Sequence, residues 1–280
     1  PFKYVRRQVR RSLRHPRLAM AYHRYLQAVR LRDWQTVRGH VATVAEMAET
    51  AADFQLLKDM SISAEQLCEY ENATKWGFKA AHLKGEIPEN SWNGESLEDA
   101  TLVIPFMEKA GQGLAGGMSL TGFVREAAQQ AHHCILIVEK RLVPIYERSL
   151  SEVEVHAFPF KPVVSSSTKL VLANPLLLQN VMGTSAASIR ERFMPLLPEA
   201  GESSRMREEY LAGRSLPLIG ISWWSSHHGK DLPAIEAWAE FVRETEAIFV
   251  SLQYGPVAGD LEVLRQAAPG RVVVDDTVDQ

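Results

Sequence analysis

The run Leu218-Ile-Gly-Ile-Ser-Trp-Trp-Ser-Ser-His-His-Gly-Lys-Asp-Leu-Pro233 decides how the chain is read. A short apolar stretch, Pro217–Trp223, enters a loop of hydroxyls, two imidazoles and one lysine. Pro233 then opens a helical pattern that runs to Glu244, as proline in a first helical turn does. A second apolar run, Ala247–Leu252, follows and continues as Gln253-Tyr-Gly255. Strand, polar loop, helix and strand make a βαβ unit. Ligands of open parallel sheets bind outside the carboxyl ends of the strands, so this loop is the first candidate site.

Within it, Ser222, Ser225 and Lys230 are the candidate anion contacts. Hydroxyls and the amides of a helix N-terminus donate to oxyanions, and lysine is a compact cation suited to phosphate. His227, His228 and Asp231 have metal-ligating side chains, but adjacent loop histidines seldom converge on one ion, and no metal is expected. No Gly-x-Ser-x-Gly elbow is present, which argues against a Ser-His-Asp hydrolase. A helix over Gly259–Ala267 and a strand over Val272–Asp275 extend the unit to βαβαβ. A further element would normally follow. The stop at Gln280 and the start at Pro1 rather than methionine read as part of a longer chain.

Upstream lies a similar pattern. Ala100–Phe106 reads as a strand, Thr121–Gln130 as a helix, Cys134–Val138 as a strand, Val143–Ser149 as a helix and Val153–Phe158 as a strand. Leu170–Met182 is an apolar stretch interrupted by Pro175, and Ser188–Glu208 reads as helical. Between the first strand and helix stands Gly111-x-Gly113-x-x-Gly116-Gly117. These glycines permit close backbone approach to a ligand, and Glu139 stands about where a dinucleotide fingerprint places its acid. The lack of Gly-Lys-Ser/Thr excludes a P-loop. Glu108, just before the turn, is the one candidate catalytic carboxylate.

The amino-terminal part is helical in period from Pro16 to about Lys84. Trp34, Val37, Val41 and Val44 lie at helical spacing, a second pair of helices is expected over Ala51–Met60 and Ser63–Leu83, and Ser63 with Gln66 fits a capping box. Trp34 and Tyr70 are about one tetratricopeptide period apart, and Tyr70-Glu-Asn-Ala-Thr-Lys-Trp-Gly-Phe-Lys-Ala resembles half of such a repeat. Such hairpins build concave surfaces for partners. Before them, Lys3, Arg6, Arg7, Arg10, Arg11, Arg14 and Arg17 alternate with Phe2, Val5, Val9 and Leu13. This basic amphipathic pattern suits peripheral contact with an anionic membrane surface or docking to an acidic protein, and nucleic acid is not expected.

The 280 residues, 46% hydrophobic and 23% charged with a net charge of −3, belong to an ordinary globular chain. No apolar run is long enough to span a bilayer and no signal peptide is visible, so a cytoplasmic protein, peripheral at the membrane's inner face, is expected. The two cysteines, Cys68 and Cys134, show no metal or disulfide spacing and read as buried small hydrophobes. The organisation expected is α/β: a basic segment over 1–17, tetratricopeptide-like helices over 18–88, a first Rossmann-like half over 97–212, and the start of a second over 216–280.

Ser91-Trp-Asn-Gly-Glu-Ser-Leu-Glu-Asp-Ala-Thr-Leu-Val-Ile104, the glycine turn, Gly220-Ile-Ser-Trp223 and Phe249-Val-Ser-Leu-Gln-Tyr-Gly255 together resemble the tetratricopeptide-fused bacterial glycosyltransferases. These are similar to heptosyltransferases and, distantly, to O-GlcNAc transferase. The resemblance implies a metal-independent GT-B fold of two Rossmann-like halves, with no cofactor. A nucleotide-sugar is the substrate on the second half, and a protein or glycan acceptor lies on the first. Lys230 with Pro233 matches the Lys-x-x-Pro that meets donor phosphate in heptosyltransferases, and Ser222 lies in the same site. The family's Gly-Asp is Gly116-Gly117 here, without the usual base. That departure leaves an alternative: a catalytically degenerate GT-B protein serving as a scaffold, with residues 1–88 docking a protein partner.

Overall fold

A computed structural model describes residues 15–106, 118–163, 168–224, 232–253 and 255–275. The protein is mixed α/β, with helices first and parallel sheets after them. It divides into two compact units between Leu197 and Pro198.

The first unit begins with four helices, α1 (Pro16–Arg30), α2 (Trp34–Thr50), α3 (Phe54–Gln66) and α4 (Tyr70–Lys84). Pro16 occupies the first turn of α1, as its missing N–H allows. Three turns of one design join the helices. In each, a left-handed residue (Arg32, Ala52 or Cys68) precedes an acidic residue that begins the next helix. The amides of Asp33, Asp53 and Glu69 return to the carbonyls of Ala28, Ala48 and Ala64, so the orphan carbonyls of each helix end are satisfied. Those three alanines are buried, and their small side chains let the following helix fold back closely. Asp33 and Asp53 accept from the amides of Thr36 and Leu56 at 3.1 and 3.0 Å, which fixes two helix starts.

The third turn lies at Leu67–Glu69, later than the period suggested. Ser63 is therefore not a cap. It lies inside α3, buried, where its hydroxyl donates to the Asp59 carbonyl and bonds Tyr25 Oη at 2.6 Å. Two other expectations change. Trp34 begins α2 and is 55% exposed, outside the buried stripe of Val37, Val41 and Val44. Cys68 is exposed in its turn, because a left-handed loop residue has no core to face, whereas Cys134 is buried.

The sheet of this unit comprises β1 (Leu97–Pro105), β2 (Ala131–Val138), β3 (Glu154–Ala157) and β4 (Lys169–Leu172), in the order β3-β2-β1-β4. All neighbours are parallel. The near-continuous apolar runs of β1 and β2 follow, since a central parallel strand is covered on both faces. On one face Leu102, Ile104, Leu136 and Val138 join α5 (Thr121–Ala128), α6 (Val143–Ser149) and α7 (Pro175–Met182) in the largest core. On the other, Val103, Ile135 and Ile137 pack with Phe160, Leu170 and Leu172. Pro175 starts α7 rather than breaking a strand, with Asn174 Oδ1 accepting from Leu177 N at 2.9 Å.

The helix expected over Ser188–Glu208 is two, α8 (Ala186–Glu191) and α9 (Ala200–Leu211). Pro195 and Pro198 hold the intervening residues out of helix, because a proline restricts the residue before it and lacks a donor itself.

The second unit contains α9, β5 (Leu218–Ile221), α10 (Ile235–Glu244), β6 (Ile248–Ser251), α11 (Ala258–Ala267) and β7 (Val272–Val273). Its strands are parallel in the order β5-β6-β7. α9 thus belongs with the second sheet, and Tyr210 on it donates to Asp275 Oδ2 at 2.6 Å, just past β7. Ile221, Trp223, Val242, Phe249 and Leu264 form the core. Among the described residues no helix is long and apolar enough to cross a membrane.

Candidate functional site

In each unit the first strand's carboxyl end borders a sequence candidate for ligand contact. In the first unit the strand order reverses between β1 and β4, which is where open α/β sheets leave a crevice. Glu108, Gly111, Gly113, Gly116 and Gly117 lie outside the described residues, while Phe106 and Met118 on either side are described. Phe106 leaves β1 buried, edge-on to the Tyr146 ring at 6.3 Å. Burial raises the Tyr146 phenol above its ordinary pKa, opposed by a hydrogen bond with Thr121. Thr121 donates to the Met118 carbonyl at 2.8 Å and holds the entry to α5.

Gly122 then fixes the depth at which α5 docks. A Cβ there would stand 1.6 Å from the Arg192 carbonyl oxygen, so no other residue fits. Arg192 clamps the same contact, with a two-pronged bond to Glu126 at 2.6 and 3.1 Å and its guanidinium 4.9 Å from the Phe123 ring centroid.

In the second unit Ser222, Trp223 and Trp224 leave β5. Gln253, just past β6 and 3% exposed, gathers them: its Oε1 accepts from Ser222 Oγ at 3.0 Å, Trp223 N at 2.9 Å and Trp224 N at 2.8 Å. Backbone amides that would be orphaned at the strand end are thereby satisfied. Trp223 is buried, with its indole donating to Asp260 Oδ2 at 2.9 Å, and Trp224 lies over Gly255, whose φ of +97° suits glycine. Ser222 thus spends its proton on Gln253, and its exposed oxygen retains lone pairs for a ligand donor. Ser225, His227, His228, Lys230 and Asp231 lie outside the described residues.

Sequence reasoning placed Ser222 at this strand end but assigned nothing to Gln253. Its signal was the Ser-Leu-Gln-Tyr-Gly segment, where a polar residue follows a buried strand. Glu139 pairs with Arg141 at 3.2 Å. Burial, and secondarily the charge of Glu152, push the Cys134 thiol up to about 12, which leaves it chemically quiet. Among the described residues no group of three or more His, Cys, Asp or Glu is placed to hold a metal ion. No family model, curated protein or solved structure matches the chain.

Proposed function

We propose that the protein is a GT-B-type glycosyltransferase that moves a sugar from a nucleotide-sugar to a protein or glycan acceptor. One observation carries this reading: the chain contains two α/β units with parallel sheets, and in each the first strand is followed in sequence by a segment of ligand-binding composition. The reversal of strand order beside β1 and the Gln253 bonds to the amides of Trp223 and Trp224 support it, because open α/β sheets bind ligands at the carboxyl ends of strands beside such a reversal. In this reading Lys230 and Ser225 meet the donor diphosphate, Ser222 adds an acceptor oxygen, and the glycine turn receives the acceptor. The helices α1–α4 act as a tetratricopeptide-like arm for partners.

The test is calorimetric titration of the protein with a panel of nucleotide-sugars, repeated on Lys230→Ala. Binding weakened at least about tenfold by loss of the lysine supports the reading, since a charge-assisted contact is worth about that much. Absence of binding to every nucleotide-sugar sinks it. The Gly116-Gly117 pair, without the family's aspartate, favours one second reading, a degenerate GT-B subunit of a larger assembly. Deleting residues 1–17 tests that version, which fails if every partnership and localisation survives.

A further inference from the structure

Within the first unit a pocket of about 240 Å³ opens where the α3–α4 hairpin meets α7 and the start of α5. The two layers approach closely there: a Cβ on Gly77 of α4 would stand 3.3 Å from Leu176 Cδ1 of α7. The polar lining includes the Tyr70 phenol with Ser61, Glu65, Thr74, Ser119, Gln179 and Thr184. Ser61 donates its proton to the Ala73 carbonyl at 2.6 Å, and Thr184 donates to the Gln179 carbonyl at 2.9 Å. Both hydroxyls therefore face a ligand as acceptors. Thr74 differs. Its residue is 8% exposed and lines the pocket, and its proton is committed to no carbonyl among the described residues. It therefore offers a ligand both a donor and an acceptor. The Gln179 side chain adds both a carbonyl and an amide.

Among the described lining residues there is no lysine, arginine or histidine, so phosphate or another anion has no countercharge. The lining instead asks for several neutral donors and acceptors on one small body. Its volume is that of a ligand smaller than drug size.

We infer that this seam pocket binds a neutral polyhydroxylated ligand of about monosaccharide size, with Thr74 and Gln179 as its central contacts and Glu65 accepting from a hydroxyl at the rim. The inference does not rest on the glycosyltransferase reading, whose donor contacts lie in the other unit.

The experiment is saturation-transfer NMR on the full chain with glucose and N-acetylglucosamine as probes, and inorganic phosphate and tetramethylammonium as competitors. A dissociation constant on the order of 1 mM is expected for a ligand of this size. Thr74→Val and Gln179→Leu should each weaken binding about tenfold, the worth of one lost hydrogen bond. Thr74→Val is near-isosteric and should change the melting temperature by no more than about 2 °C, so weaker binding would not reflect loss of the fold. Nucleotide-sugar binding should be unaffected by either variant. No saturation transfer from either sugar, equal binding by both variants, or displacement of the sugar by phosphate or tetramethylammonium would each overturn the assignment. Glu65→Gln, at the exposed rim, provides a variant without a folding penalty and should weaken binding more than twofold. No change there removes the carboxylate from the site and with it the rim contact proposed.

Discussion

Gly122→Ala is the sharpest test of how α5 is held. Alanine is ordinarily the better helix former by about 1 kcal/mol, and propensity alone predicts a gain. The added Cβ would meet the Arg192 carbonyl oxygen at 1.6 Å and its carbon at 2.7 Å. Real Cβ contacts essentially never fall below 3.0 Å, so helix and loop must part by roughly 1.4 Å in a close-packed interior. Overpacking of this kind costs about 1–3 kcal/mol, and a backbone partner cannot swing away as a side-chain tip can. Parting also stretches the Arg192–Glu126 bonds, of a class worth about 1.5–3 kcal/mol each when made to a charged group. These side chains are part-exposed, which reduces that contribution. A net loss of about 3 kcal/mol remains after the propensity gain, or roughly 6–12 °C in melting temperature. Gly39→Ala is the control. Gly39 is also interior to a helix, but a Cβ there has nothing within 4 Å, and the same change should stabilise by about 0.5–1 kcal/mol. Urea titration followed by far-ultraviolet circular dichroism measures both. If Gly122→Ala falls within about 0.5 kcal/mol of the parent, or above it, the contact with Arg192 is not as described.

Three further outcomes follow from the second unit and the thiols. Gln253→Met should destabilise by about 2–3 kcal/mol in tryptophan-fluorescence denaturation, because three donors lose one acceptor, while Gln253→Glu should retain most of the stability. Burial, aided by the Asp275 hydrogen bond, pushes the Tyr210 phenol up to about 12 from its ordinary value of 10.0. The folded value lies above the unfolded one, so this contribution is complete below about pH 10 and is lost as pH rises toward 12. Tyr210→Phe should flatten the alkaline limb of stability, and an unchanged limb in denaturation measured across that range would contradict the assignment. A disulfide exchange reagent at pH 8 should titrate Cys68 rapidly in the native protein and Cys134 only after denaturant is added, as mass spectrometry of the labelled peptides would reveal.

The strands and the helices between them were readable because parallel sheets concentrate apolar residues into short runs separated by helical period. Val143–Ser149 has the ends the pattern gives it. Boundaries failed where a contact distant in sequence overrode a local signal. Ser63 carries the residues of a cap, yet the Tyr25 hydroxyl 38 positions away keeps it inside a helix. The break after Glu191 was visible in Pro195 and Pro198 and was outweighed by the helical residues on either side. The candidate site was legible only as a location. Gln253 could not be recognised as the acceptor for the β5 loop, since nothing in local sequence says which strand end faces which amide. Thr74 was equally silent, because a threonine on a helix is ordinary until it is found lining a pocket.

The Tyr25–Ser63 bond has a consequence for how the helical arm comes apart. An array of hairpins held by nearest-neighbour contacts unravels from its free end, one helix at a time. A bond from α1 to α3 skips a helix, so detaching α1 takes the Tyr25 hydroxyl from Ser63 and uncovers a buried side chain of the second hairpin. Terminal fraying and opening of that hairpin then become one event. Amide protons of α1 and α3 should exchange with a common opening free energy rather than a gradient along the array, and the arm behaves as a single cooperative block.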